Sequence, residues 1–331
     1  MRYDLVMEAK NPQTLQEAIV YFSDSENCLN YLVAKRWPNG VSCPTCGNAN
    51  VHFLKNQQRW ECKGTTHPKR QFSVKVGTIF EDSPISLSKW LCAVWMVTSA
   101  KNGVSSWEIH RSLGVTQKTA WFMLQRIRLG LQDAKAGKIG SGSGQVEVDE
   151  SYIGGKARNM HKDRKERVLG GKGGGVVGKV GVQGTLERGG EIRLNVIRDS
   201  KYGTLLPNIK NTVAAGSHLF TDEASAYFDL GSEYVHDFIN HAEAYAIGQI
   251  HTNGLENFWS LLKRNLSGTY VSVEPFHLFR YLDEQAFRYN NRKDMTDADR
   301  FDKALTQIAG KRLTYAELTG KTGQRAEETR F

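Results

Sequence analysis

The chain has 331 residues, 40% of them hydrophobic and 24% charged, an ordinary globular composition that excludes a wholly disordered or fibrous protein. At roughly 150 residues per domain this length predicts about two domains, or three if one is small. The longest strictly apolar run, Leu91–Val97, has seven residues against the roughly twenty that a membrane-spanning helix needs, and the acid-bearing start MRYDLVMEAKN lacks the apolar core of a secretory signal. A cytoplasmic protein is therefore expected. Forty-four Lys and Arg against 35 Asp and Glu leave a formal charge of +9. That balance suits a polyanionic partner, because each neutralised phosphate releases counterions, although a solubilising basic surface would account for it as well. Five cysteines are an odd number and too few for a disulfide scaffold, which points to metal ligands or free thiols.

In chain order, residues 1–38 read as a helical segment, with Leu15, Ala18, Ile19 and Phe22 recurring at three- and four-residue steps. Residues 39–80 are short and Cys-bearing. Residues 81–134 return to helix, with Trp90, Val94 and Val97 followed by Ala120, Met123, Leu124, Ile127 and Leu131 as apolar positions. KAGKIGSGSG (135–144) reads as a flexible linker. Strand-like runs follow at 145–153, 175–186, 191–199 and 217–222, and helices at 253–266 and 275–291, within a unit spanning 145–292. A tail, 293–331, closes the chain. Mixed strands and helices behind the linker predict an α/β or α+β unit. Between its first two strands, Lys156 to Lys179 holds eight basic residues and two acids, either a solvated loop or a basic flap over a nucleic-acid backbone. GGKGGG (170–175) lacks the GK[ST] ending of a phosphate-binding P-loop.

Cys43-Pro-Thr-Cys46-Gly has the spacing of a zinc knuckle, two thiolates with a glycine to turn the backbone. A structural zinc takes four ligands, and Cys62 and His67 complete the pattern CxxC-x15-C-x4-H. A segment of about 35 residues buries too little core to hold itself together without such a staple. Cys28 and Cys92 fall on helical stretches and read as buried thiols.

Ser105-Ser-Trp-Glu108 is a capping box that opens a helix to Leu113. Gly114-Val-Thr116 makes a turn, and Thr116 caps a second helix through Leu131. That arrangement is a candidate helix-turn-helix. The second helix would present Gln117, Lys118 and Trp121 to base edges, with Arg126 and Arg128 further along.

The carboxylates come last. In QVEVDESYIGG a strand ends at Asp149, and in SHLFTDEASAY a second apolar strand ends at Asp222. HTNGLENFWSLLKRNL is an amphipathic helix whose core face is Leu255, Phe258, Trp259, Leu262 and Leu266, with Glu256 and Lys263 about 20° apart at its edge. Two aspartates at strand ends and one helical glutamate form an oxygen-donor set suited to a pair of Mg²⁺ ions, the arrangement used for in-line phosphoryl displacement. Glu150, Asp199 and Glu223 are rival acids near strand ends.

Together, VEVDESYIGGK, FTDEASAY, HTNGLENFWSLLKR and YLDEQAFRYNNR resemble bacterial insertion-sequence transposases of the DDE type, and most of all the zinc-ribbon-bearing, ISXO-like group. CPTCG, QFSVKVGTIFEDSPISLSKW and GVTQKTAWFMLQRIR are similar to the same group, so the resemblance spans roughly residues 20–292. It implies a multidomain chain, with an N-terminal zinc ribbon and helix-turn-helix followed by an RNase H-like α/β catalytic domain with a mixed sheet. It also implies Mg²⁺- or Mn²⁺-dependent DNA strand cleavage and transfer, binding to the terminal inverted repeats, a homodimer or larger assembly on DNA, and a nucleoid-associated location. Carried over by motif, Asp149 and Asp222 match the first two catalytic acids. The third is Glu256 or Asn253, and carboxylate chemistry favours Glu256. Lys263, with Arg264 beside it, stands where such enzymes keep a base for DNA. Having His67 where a cysteine is common departs from the group's usual second knuckle.

Overall fold

The computed structural model describes residues 11–133, 136–141, 144–155, 162–170, 176, 178–222, 227, 233–239 and 251–321. The chain divides into two compact units. One comprises residues 1–132 and 293–318, the other 133–292 and 319–331.

The first unit opens with α1 (Leu15–Tyr21) and α2 (Ser25–Arg36), so the predicted N-terminal helix is broken in two. Each half starts on its own cap: a Thr14–Glu17 capping box for α1, and the Asp24 side chain accepting from the Glu26 amide for α2. Ala18 and Phe22 are buried as the pattern predicts, but Leu15 and Ile19 are exposed. A helix of seven residues has room for only one buried stripe, and here it is the narrow one through Ala18. An antiparallel three-stranded sheet follows, β1 (Val51–Leu54), β2 (Arg59–Cys62) and β3 (Gln71–Phe72). Its small core is aromatic, with Trp60 stacked on Phe72 at 6.0 Å and tilted against Phe53 at 4.9 Å.

Helices α3 (Leu87–Ser99), α4 (Ser106–Leu113) and α5 (Gln117–Gly130) then form the body of the unit. Cys28 and Cys92 are buried thiols as expected. Residues 293–318 are not a tail. They contain α10 (Asp297–Thr306) and α11 (Tyr315–Leu318), and Phe301 of α10 is fully buried against Trp95 and Phe22, with ring centroids 4.8 and 5.7 Å away. Asp302 accepts from Tyr31 Oη at 2.5 Å and pairs with Lys35 at 2.5 Å. The apolar positions Ala298, Phe301, Ala304 and Leu305 give α10 one buried face, and this signal lies outside the run of motifs on which the sequence reading rests.

The second unit is built on a five-stranded mixed sheet in the order β6-β5-β4-β7-β8. Its strands are β4 (Gln145–Ile153), β5 (Val180–Glu187), β6 (Ile192–Ile197), β7 (His218–Asp222) and β8 (Val235–Ile239). β4, β5 and β6 pair antiparallel, whereas β7 runs parallel to β4 and β8 parallel to β7. Alternation along β4 sends Val146 and Val148 to one face, where they join Leu205 and Ile209 of α7 (Tyr202–Thr212). Ile153, with Val182 and Leu186 of β5, packs on the other face under α8 (Asn253–Gly268) and α9 (Leu278–Asn290). Helices thus cover both faces of the sheet.

Three expectations are corrected here. β4 fills the predicted run 145–153, paired with β5 from Val146 on, so Asp149 lies within the strand and not at its end. The stretch 135–144 is not all free linker, because Ile139 is buried and forms a bridge with Val213, its amide donating to the Thr212 carbonyl at 2.9 Å. The basic segment between β4 and β5 holds α6 (Lys162–Leu169), while GGKGGG lies almost wholly outside the described residues. No helix among the described residues is long and apolar enough to cross a membrane.

Candidate functional sites

The first cluster is the cysteine–histidine group. Cys43, Cys46, Cys62 and His67 place their ligating atoms all within 4.8 Å of one another, and among the described residues they are the one group of three or more such side chains gathered so closely. The first knuckle is a tight turn in which the Gly47 amide donates to the Cys43 carbonyl at 2.8 Å. The second knuckle brings Cys62 from the end of β2, its sulfur accepting from the Gly64 amide at 3.3 Å. Cys46 Sγ and Cys62 Sγ are 3.7 Å apart, and Cys43 Sγ and His67 Nε2 are 3.4 Å apart. Those separations match the edges of a tetrahedron with metal–sulfur bonds of about 2.3 Å and a metal–nitrogen bond of about 2.0 Å. His67 Nδ1 faces the Lys69 carbonyl at 2.9 Å, so Nδ1–H donates there and Nε2 is left to bind metal. The cluster fits zinc.

The second cluster is the helix pair. Ser105 and Glu108 form the predicted capping box, and α4 ends on Gly114 at φ 59°, a left-handed position that suits glycine. Thr116 Oγ1 accepts from the Thr119 amide to start α5. Lys118 is exposed in the first turn of α5, and Trp121 is half-buried. Gln117 is partly engaged, its Nε2 donating to Ser106 Oγ at 2.8 Å. Arg126 is a correction. It is buried, and its guanidinium donates to the carbonyls of Leu313, Ile79 and Glu81 at 2.9, 3.1 and 2.7 Å, so it braces the interior of the unit and presents nothing outward. Arg128 is buried as well. The reason is position: α5 is exposed only near its first turn, and its second half runs beneath the segment around Leu313.

The third cluster lies on the second unit's sheet. The pairing of β4 with β7 runs to Glu147 opposite Phe220, and Asp149 and Asp222 each lie two residues beyond it on these adjacent parallel strands. Asp149 is anchored by two donors, the Glu150 amide to Oδ1 at 2.8 Å and the Trp259 indole to Oδ2 at 2.8 Å. Its pKa is raised to about 6, chiefly by burial, with the negative charges of Asp222 and Glu256 adding to the rise and the two donors opposing it. Asp149 therefore feels both of the other acids. The three acids are not drawn together as tightly as the cysteine–histidine group. Glu256 and Asn253 are exposed in the first turn of α8, and Lys263 and Arg264 are exposed further along it.

Of the rival acids, Asp199 binds the Lys201 amide and the Thr204 hydroxyl at the start of α7, and Glu223 lies outside the described residues. Glu150 points to the opposite face from Asp149, takes a hydrogen bond from Tyr227 Oη, and is pushed up to about 8 by burial, then by Asp149 and Asp222.

The sequence reading missed Glu147. It is 1% exposed, accepts from the Leu255 amide in the first turn of α8 at 3.0 Å, and pairs with Arg188 at 3.0 Å. Arg188 also donates to the His251 carbonyl at 2.7 Å and lies 4.0 Å from the Phe220 ring centroid. An anion at a helix N-terminus meets free amides and the positive end of the dipole. Glu147 thereby ties the start of α8 to the strand that carries Asp149. Gly254 permits this, since a Cβ there would lie 2.7 Å from Glu147 Oε2. The signal was present in VEVDE, where strand alternation sets Glu147 on the same face as Asp149.

Comparison with known proteins now agrees with the geometry. Residues 142–290 match the family model described as ISXO2-like transposase domain, and residues 23–64 match the transposase zinc-ribbon domain. Two regions of the chain are thus similar to the two domains those models describe, a transposase zinc ribbon and an ISXO2-like transposase domain. It is also 29% identical over 260 residues, 74% of this chain and 84% of the relative, to an uncharacterized protein in transposable element ISH50 of Halobacterium salinarum. The zinc-ribbon match ends at residue 64, so His67 stands beyond it, and the transposase match contains Asp149, Asp222 and Glu256.

Proposed function

We propose that the protein is a DNA transposase that binds the terminal inverted repeats of its own element, then cleaves and joins DNA strands by phosphodiester hydrolysis and transesterification. One observation carries the reading: Asp149 and Asp222 each follow, by two residues, the last paired position of neighbouring parallel strands, and α8, whose first turn bears Glu256, is pinned to the Asp149 strand through Trp259 and Glu147. The RNase H-like assignment of this unit is supported by its mixed sheet with helices on both faces.

Asp149, Asp222 and Glu256 are the residues that would hold Mg²⁺ or Mn²⁺, since all three offer hard oxygen donors and their mutual repulsion is relieved by a cation. When bound, such ions supply Lewis-acid activation of a water or 3′-hydroxyl and stabilise the leaving oxygen. Trp259 and the Glu150 amide fix the orientation of the Asp149 carboxylate. Asn253 lies about 60° around α8 from Glu256 by the helical period, where it can orient that acid. Lys263 and Arg264 hold the DNA backbone along the exposed side of α8. The zinc ribbon and the α4–α5 pair supply end recognition, with Gln117, Lys118 and Trp121 toward the DNA. Joining two element ends needs at least two chains, so a homodimer or larger assembly on DNA is proposed.

The test combines purified protein, labelled element ends and Mg²⁺, read for 3′-end nicking and then for joining to a target duplex. Nicking and joining together support the proposal. Nicking of any DNA without joining would identify a stand-alone nuclease, and end binding without either reaction would identify a regulator with a decayed catalytic domain.

A further inference from the structure

Residues 311–318 lie beyond both family matches, yet they pack on the helix whose first turn is proposed to meet DNA. We infer that this returning segment is part of the DNA-binding surface, and that the ring of Tyr315 holds the Lys118 ammonium in position for the duplex. The inference rests on reading α5 as the helix that contacts element ends.

The geometry is specific. Lys118 Nζ lies 4.8 Å from the Tyr315 ring centroid, and Phe122, one turn along α5, meets the same ring edge-on at 5.7 Å and 89°. The segment is fixed from beneath. Leu313 and Leu318 are buried, the Leu313 carbonyl accepts from Arg126 at 2.9 Å, and Lys311 Nζ donates to the Gly130 carbonyl at 2.9 Å. Arg312 pairs with Asp82 at 2.7 Å. The burial of Arg126 thus acquires a purpose: it anchors the strip of backbone from which Tyr315 rises.

The choice of an aromatic partner matters chemically. A carboxylate beside Lys118 would cancel the charge that draws it to phosphate. A ring face restrains the ammonium by its quadrupole and leaves the full positive charge outward. Glu317, the nearest acid in the segment, is occupied by the Thr314 amide and hydroxyl at 2.6 and 2.8 Å. Among the described residues Lys118 forms no ion pair, and both it and Tyr315 remain solvent-facing. A lysine held this way has less freedom to lose when DNA arrives.

The test uses the full-length chain and fluorescence anisotropy on an element-end duplex and a scrambled duplex, each across a salt series. Lys118→Ala should weaken end binding, and if it meets phosphate it should reduce the salt slope by about one. Tyr315→Leu keeps an apolar side chain over Phe122 but removes the ring face. It should weaken end binding about 2- to 5-fold, the size of an exposed cation–π contact, with the salt slope unchanged because the charge is kept. Tyr315→Phe should bind like the parent. The double variant Lys118→Ala/Tyr315→Leu should bind no worse than Lys118→Ala alone. Wild-type affinity in Tyr315→Leu, loss in Tyr315→Phe, or additive losses in the double variant would each overturn the inference; a misfolded Tyr315→Leu would show as additivity. If Lys118→Ala itself binds as the parent does, the reading of α5 fails, and the inference with it.

Discussion

Trp259 Nε1–H donates to Asp149 Oδ2 at 2.8 Å, joining residues 110 apart in the chain. The contact depends on a third residue. Gly184 stands opposite Asp149 in the β4–β5 register, and a Cβ there would lie 2.8 Å from the Trp259 ring. The indole therefore reaches the carboxylate across the space that a missing side chain leaves. A tryptophan that periodicity marks as core is also the group that aims a proposed metal ligand.

Trp259→Phe keeps the ring over Gly184 and removes the donor. Hydrogen bonds to charged groups contribute about 1.5–3 kcal/mol, so strand cleavage should fall about tenfold or more. End binding should be unchanged, since Trp259 lies in the other unit from α5. Anisotropy and nicking measured on one preparation check both halves of the prediction.

Glu147→Ala should cost about 3–5 kcal/mol, because it leaves Arg188 half-buried without its carboxylate and the Leu255 amide without its acceptor. The checks are urea unfolding and hydrogen exchange at the first turn of α8. A change below 1 kcal/mol would mean that the Glu147 contacts do not hold the start of α8.

The zinc ribbon predicts about one zinc per chain in protein purified without added metal. Cys43→Ser should lose the metal and unfold the segment around β1–β3, because binding and folding of so small a core are one equilibrium. His67→Cys should keep the metal, since it restores the more usual ligand. Elemental analysis with circular dichroism decides, and a zinc-free parent would overturn the assignment.

The paired acids on β4 set the direction of a pH effect. A carboxyl whose pKa is higher in the folded chain than in the unfolded one binds protons preferentially when folded, so stability falls as pH rises between the two values. For Glu150 that window runs from 4.5 to about 8, and for Asp149 from 3.8 to about 6. Metal-free protein should accordingly gain stability as pH falls from 8.5 to 6, and Glu150→Gln should flatten that part of the profile. Equal slopes in parent and variant, measured by thermal melting, would contradict the placement of Glu150.

Much of this architecture was legible because its signals are local. Ser105–Glu108, Gly114 and Thr116 fix the α4–α5 turn through capping chemistry alone, and the apolar positions of α8 recur with the helical period. Asp149 and Asp222 stand out by motif, but their placement on adjacent strands depends on β4 and β7 pairing in parallel, which no local pattern specifies. Three features take their roles from distant contacts for the same reason. Arg126 looks like a DNA contact until residues 311–318 fold back over it. Ile139 looks like linker until Val213 pairs with it. Glu147 looks like one acid among several until Gly254 and Leu255 bring a helix end onto it.

The most direct measurement of the central claim is Mg²⁺-dependent 3′-end nicking by two α8 variants assayed side by side. If Asp149, Asp222 and Glu256 form the reactive set, Glu256→Gln should abolish nicking while leaving end binding intact, because the amide keeps the shape and loses the charge. Asn253→Ala should slow the reaction without abolishing it, as expected of a residue that orients a ligand. An inactive Asn253→Ala beside an active Glu256→Gln would contradict the account and transfer the third position to Asn253.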